Sequence, residues 1–193
     1  MEYYGSINAG FNVSDYLKLT LTSEDYSVVG YIGEGAAMNI TSNWDTPLSM
    51  DNIGSLAGLS ATANLSQVTT DKTSVMRWNS LQVWEGGMAP TFSIPMELFA
   101  WQDASTEVQG AIMALMAMIS PELNDTTPGG RRPYSVTLDI GRRIKITDVV
   151  IQSVDYDLSA PRTWDGYFAR NTVTLQMTGM SALNRTDVPN LFI

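Results

Sequence analysis

Residues 134–156 read YSVTLDIGRRIKITDVVIQSVDY, and their pattern decides the fold. Tyr134, Val136, Leu138 and Ile140 alternate with polar neighbours, as the covered face of a half-buried strand does. Gly141-Arg142 then makes a two-residue hairpin turn with glycine first. The return strand sets Ile144 and Ile146 against Arg143, Lys145 and Thr147. At Asp148-Val149-Val150-Ile151 the alternation slips by one residue, which predicts a β-bulge before Val154 and Tyr156 resume the strand. Long strands joined by so tight a turn are antiparallel and belong to a barrel or sandwich.

Working outward, Tyr16–Thr22 alternates with Leu17, Leu19 and Leu21 on one face, and Tyr26–Ile32 reads as its partner across the turn Ser23-Glu24-Asp25. Arg77–Trp84 predicts another strand, turned by Glu85-Gly86-Gly87. Phe92, Ile94, Met96 and Leu98 alternate with Thr91, Ser93, Pro95 and Glu97. Pro95 lacks a ladder donor and so places that strand at an edge or bulge. Val173, Leu175 and Met177 mark the last strand, after a loop at Pro161–Gly166. One helix is expected from about Ser105 to Ile119, capped by Asp103 or Ser105 and stopped by Pro121. Val108, Ile112, Leu115 and Ile119 form its core stripe, and Met113, Met116 and Met118 widen the apolar surface. The stretch from about 39 to 74 is poor in charge and rich in Ser, Thr, Asn, Ala and Gly. It reads as an irregular arm or long loop, with a short helix allowed at Asp51–Leu59. The chain is expected to be one mainly β domain over residues 1–193, an antiparallel β-barrel or sandwich with one flanking α-helix.

Composition narrows the function. The 193 residues hold no Cys and no His. That removes disulfides, thiolate nucleophiles, Cys-type zinc sites and the usual neutral-pH base of triad catalysis. No catalytic, cofactor-binding or metal site is therefore predicted, and the chain reads as a non-enzyme. Carboxylates are the remaining route to chemistry. Asp155 and Asp157 stand two apart on a strand, as two oxygen ligands of a hard cation would, but a solvated strand face carries the same pattern. Gly30, Gly33 and Gly35 miss the dinucleotide-binding spacing and suit a turn. Trp44, Trp78, Trp84, Trp101 and Trp164 suit packing or an interface, with a sugar-stacking platform as the alternative.

Charged residues make up only 16% of the chain, low for a free monomer and ordinary for a subunit whose faces are covered on assembly. The net charge of −9 argues against holding nucleic acid through its phosphates. Residues 1–70 carry seven acids against Lys18 alone, whereas residues 131–185 carry eight bases against five acids, so identical copies can complement one another. The first ten residues are polar without a basic start, and the apolar run Ala111–Ile119 is too short for a bilayer, so neither export nor membrane insertion is expected.

RRPYSVTLDIGRRIKITDVVIQSVDYDLSAPRTWDGYFARNTVTLQMTGM (residues 131–180), with the helix and the strand APTFSIPMELFAW before it, resembles tail-tube-type proteins of contractile phage tails. It is most similar to baseplate tube-initiator (tail-tube junction) subunits. The resemblance covers about residues 75 to 180 and rests on the order of elements. It implies a structural virion protein of tail-tube fold, assembled in the host cytoplasm, that forms rings, hexameric in that family. Such rings line a channel and join tube to baseplate. The implied partners are copies of the chain, adjacent tube and baseplate proteins, a tape-measure protein, and DNA only in transit. On this view Val108, Ile112, Met113, Met116, Arg142, Arg143 and Lys145 are the candidate inter-subunit contacts, and residues 39–74 an arm that clasps a neighbour. A carbohydrate-binding β-module is the alternative.

Overall fold

The computed structural model describes residues 1–6, 13–45, 81–126 and 128–192. The chain divides into two compact units, residues 1–40 with 89–193, and residues 41–88. The larger unit contains β1 (Glu2–Gly5), β2 (Lys18–Thr22), β3 (Tyr26–Ile32) and β4 (Ala37–Asn39). In the smaller unit, β5 (Ser42–Asp45) and β6 (Val83–Gly87) pair as an antiparallel ribbon. The larger unit resumes with β7 (Thr91–Phe99), helix α1 (Gly110–Ile119), β8 (Val136–Ile140), β9 (Ile144–Tyr156) and β10 (Arg170–Gly179).

The larger unit is an antiparallel β-barrel. Its sheet runs β1-β3-β2-β8-β9-β10-β7-β4, and pairs Tyr31↔Glu97 and Ile32↔Met96 between β3 and β7 close it. β1 lies parallel to β3, an exception that the sequence does not announce. The expected core faces are buried: Leu19 and Leu21 on β2, Phe92, Ile94, Met96 and Leu98 on β7, Val136 and Leu138 on β8, and Val173, Leu175 and Met177 on β10. Two boundaries differ. Asp15–Leu17 forms a 3-10 turn, so Leu17 is exposed and β2 begins at Lys18. Glu85-Gly86-Gly87 is not a turn but the end of β6, held in a ladder by Ser42 and Asn43. Of the predicted strand Arg77–Trp84 and arm 39–74, residues 46–80 lie outside the described residues.

Pro95 sits opposite the gap between two neighbours of β7: β4 pairs with residues 91–93 and β3 with 96–97. Its carbonyl accepts from Gly33 N–H at 2.8 Å. In a strand the N–H and C=O of one residue point the same way, so the missing donor falls in that gap and not in the β10 ladder.

The β8–β9 turn is one residue longer than the spacing suggests. Gly141 and Arg142 both have positive φ, 58° and 53°, and Arg143 N–H closes on Ile140 C=O at 3.1 Å. The predicted bulge is present: Val136 pairs with Val149 but Leu138 with Ile146, and Asp148 takes φ 56°. A second register shift follows, where Gln176 pairs with Ser153 but Met177 with Ile151.

α1 is preceded by a π-helical turn, Ser105–Gln109, so the whole helical stretch matches the predicted span. Asp103 caps it, its carboxylate accepting from Ser105 N–H at 3.1 Å and from the Thr106 hydroxyl. Those two bonds hold the Asp103 carboxyl below its ordinary pKa, the hydroxyl contributing more. Glu107, buried, accepts from the backbone N–H groups of Trp101, Gln102 and Asp103 and so satisfies donors that the chain leaves free on entering the helix. The inner face packs on β1, β3 and β9. Val108, Ala111, Ile112, Ala114, Leu115 and Met118 are buried there.

A Cβ on Gly141 would stand 2.5 Å from the Tyr16 carbonyl oxygen, while one on Gly35 (φ 84°) would meet nothing within 4 Å. Both alanine variants carry left-handed strain of about 1–2 kcal/mol, and only Gly141→Ala adds a backbone clash. Urea unfolding is expected to show a clearly larger loss for Gly141→Ala than for Gly35→Ala.

Candidate interaction surface

The loop between β9 and β10 contains the most exposed large apolar side chain of the described residues, Trp164, at 96%. Exposure alone says little; what sets this loop apart is how firmly it is built. At its base the buried Asn171 side chain accepts from Asp157 N–H at 3.2 Å and donates to Asp157 C=O at 2.9 Å, extending the ladder past the end of β9. Asp157 then takes the Ser159 N–H (2.8 Å) and hydroxyl (2.7 Å), which lower its pKa, the hydroxyl more than the N–H.

Higher up, Arg162 ties two turns together. Its guanidinium donates to Leu158 C=O at 3.3 Å and Gly166 C=O at 3.0 Å, and lies 4.3 Å over the Phe168 ring. Phe168 is buried edge-on to Tyr156, with ring centroids 6.3 Å apart, and anchors the loop in the core. Thr163 N–H bonds to Tyr167 C=O (2.8 Å) and Gly166 N–H to Thr163 C=O (3.0 Å), which leaves Trp164 and Asp165 at the tip. The loop backbone that carries Trp164 is thus held, while the ring itself stands free in solvent.

The predicted inter-subunit residues separate into groups. Val108 and Ile112 are buried in the chain's own core and have almost no surface to offer a neighbour, because the helix turns its stripe inward. Met113 and Met116, on the opposite face of α1, are 49% and 45% exposed and remain available. Arg142 is engaged within the chain: Asp15 Oδ2 stands 3.0 Å from its Nη2, while Asp15 Oδ1 accepts from Lys18 at 2.8 Å. These cations hold the Asp15 carboxyl below its ordinary pKa, Lys18 contributing most. Arg143 lies 5.1 Å over the Tyr16 ring. Lys145 faces Asp139 across the β8–β9 ladder and is exposed.

Asp155 and Asp157 have separate hydrogen-bond partners. Asp157 lies beyond the end of β9 and bends back to Ser159, whereas Asp155 stays on the strand and accepts from Ser153 at 3.1 Å. Among the described residues no group of three or more Asp, Glu, His or Cys side chains gathers around one point. In the smaller unit Trp44 and Trp84 stand opposite each other across the β5–β6 ladder, both exposed, and Trp84 donates to the Ser42 hydroxyl at 2.9 Å. Trp78 lies outside the described residues. We find no protein-family model that matches this chain and no curated protein significantly similar to it.

Arg162→Ala removes both carbonyl bonds and the ring contact of the loop. Limited chymotrypsin digestion is expected to open the loop at Trp164 or Tyr167 in this variant and to spare the parent. Arg162→Lys should not rescue it, since an ammonium cannot span both carbonyls as the planar fork does.

Proposed function

We propose that the chain is a structural subunit that assembles with copies of itself, as a ring of a phage contractile-tail tube or baseplate. The observation that carries this reading is a closed antiparallel barrel with one flanking helix that buries Val108, Ile112 and Leu115 inward while presenting Met113 and Met116 outward. A helix apolar on both faces suits a place between its own barrel and a neighbour. The barrel, and the one α-helix among the described residues, agree with what the sequence resemblance implies, and a charged fraction of 16% suits faces that are covered on assembly.

The net charge of −9 suits a channel wall past which DNA slides without sticking. Adjacent tube, baseplate and tape-measure proteins are the partners of this reading, and the virion tail its location. Among the described residues no helix is long and apolar enough to cross a membrane. The exposed Trp44–Trp84 pair favours a second reading, a module that stacks sugar rings.

Light scattering coupled to size exclusion, with electron microscopy of the eluted species, tests the first reading. Rings of uniform size, six copies on the family pattern, are the expected result. Met113→Glu with Met116→Glu should disperse them while leaving the thermal transition nearly unchanged, because both positions face outward. A chain that stays monomeric at high concentration, and whose tryptophan emission shifts with a glycan in a manner lost on Trp84→Ala, would support the sugar-binding module instead.

A further inference from the structure

Asp165-Gly166 is the one place in the 193 residues where an Asp or Asn precedes Gly. The pair stands at the tip of the β9–β10 loop, with both residues exposed. Such a link has a chemistry of its own. The Gly nitrogen attacks the Asp Cγ and forms a C–N bond, while the nitrogen gives up its proton and a carboxyl oxygen leaves as water. The product is a five-membered succinimide. Water then opens either of its carbonyls, returning Asp or leaving isoaspartate, in which the backbone runs through the side-chain carbon. Glycine favours the attack because no Cβ shields its nitrogen.

The folded loop withholds what that attack needs. Gly166 N–H donates to Thr163 C=O at 3.0 Å, so the attacking nitrogen is committed to the turn. Just beyond it, Arg162 donates to Gly166 C=O at 3.0 Å and Thr163 N–H to Tyr167 C=O at 2.8 Å. The peptides on both sides of Gly166 are therefore held. Bringing the Gly166 nitrogen onto the Asp165 Cγ requires the first of them to rotate, which breaks the bond to Thr163. Burial is not what protects the link, since a Cβ on Gly166 would meet no atom within 4 Å. Protection comes from the hydrogen bonds, and Arg162 anchors them by bonding Leu158 C=O and lying over the buried Phe168 ring.

We propose that Asp165 is a latent site of isoaspartate formation, closed while Arg162 clamps the loop and open once the clamp lets go. The change is one-way for the fold. Isoaspartate adds a backbone carbon between Asp165 and Gly166, which displaces the Gly166 N–H and C=O from Thr163 and Arg162 together. A loop that has reacted while open cannot close again on the same bonds, so the chain keeps a chemical record of the opening. The proposal is independent of the assembly reading, because the reaction needs only water and the chain's own atoms.

Peptide mapping with electron-transfer fragmentation, which separates isoaspartate from Asp, tests the site on the full chain aged in mildly acidic buffer. The urea-unfolded parent gives the rate of the unprotected link, and the folded parent is expected to lag it about tenfold or more. Arg162→Ala, its fold checked by the thermal transition, should react about tenfold or more faster than the folded parent, since it loses two bonds from a charged group. Asp165→Glu in that background should abolish the signal, because the Gly166 nitrogen would then have to close a six-membered ring. Reacted parent, returned from urea, should be cut by chymotrypsin at Trp164 or Tyr167 where the unreacted chain is spared. A folded parent that reacts as fast as the unfolded chain overturns the protection, and this comparison stands even if Arg162→Ala does not fold. A folded Arg162→Ala that reacts at the parent's rate overturns the role of the clamp. Absence of isoaspartate at Asp165 in the unfolded chain overturns the site itself, and resistance of the reacted chain to chymotrypsin overturns the one-way change.

Discussion

One strand that serves two partners holds the barrel together. The first part of β9 pairs with β8 and the second with β10, and the change occurs around Asp148. There the chain takes a left-handed conformation that Asp tolerates better than most residues. The Asp148 carbonyl accepts from Met180 N–H at 2.9 Å and its carboxylate from the Ser135 hydroxyl at 3.4 Å, so the bend is tied to the elements on either side. β8 and β10 lie on opposite edges of β9, and the two ladders overlap at Val149, which pairs with Val136 on one side and Gly179 on the other. β9 thereby joins the β3-β2-β8 half of the sheet to the β10-β7 half, and the bulge bends it where the two ladders meet.

Closure on the other side is slight by comparison, resting on Tyr31↔Glu97 and Ile32↔Met96. Beyond those pairs β3 turns to β1, and β7 turns to β4. The barrel is thus a bent sheet whose edges touch briefly and then part, and α1 packs on β1, β3 and β9. This arrangement explains why the helix is so apolar. Its inner stripe completes a core that the sheet leaves uncovered, and Glu107 keeps the chain's entry into the helix free of unmet backbone donors.

Strands with a strict period of two were legible from residue order alone. Phe92 to Leu98 and Val173 to Met177 fall where their alternation puts them, and even the slip at Asp148 marked the bulge. What failed was non-local. Glu85-Gly86-Gly87 has the local chemistry of a turn, yet pairing with β5 draws it into a ladder. β1 is too short to show a period, and only its neighbour β3 defines it. The helix stripe was visible, but which candidates it buried depended on β1, β3 and β9, which is why Val108 and Ile112 prove internal. Arg142 gave no local hint of Asp15, far earlier in the chain. The Trp164 loop showed only its Pro and Gly. Its rigidity comes from Arg162, Asn171 and Phe168 acting together, which no pairwise spacing reports.

The barrel unit exposes apolar surface of two physical kinds. Met113 and Met116 are unbranched, flexible side chains on a fixed helix, able to adapt to an imperfectly matched face. Trp164 is a large flat ring on a loop whose backbone is restrained at its base, its middle and its core anchor, so the point from which the ring projects is set while the ring itself stays in solvent. The first kind supplies adaptable area, while the second concentrates a large aromatic area at one point of the surface. The staple at Arg162 fixes where that ring leaves the surface, because it ties the Leu158 and Gly166 carbonyls to the Phe168 anchor.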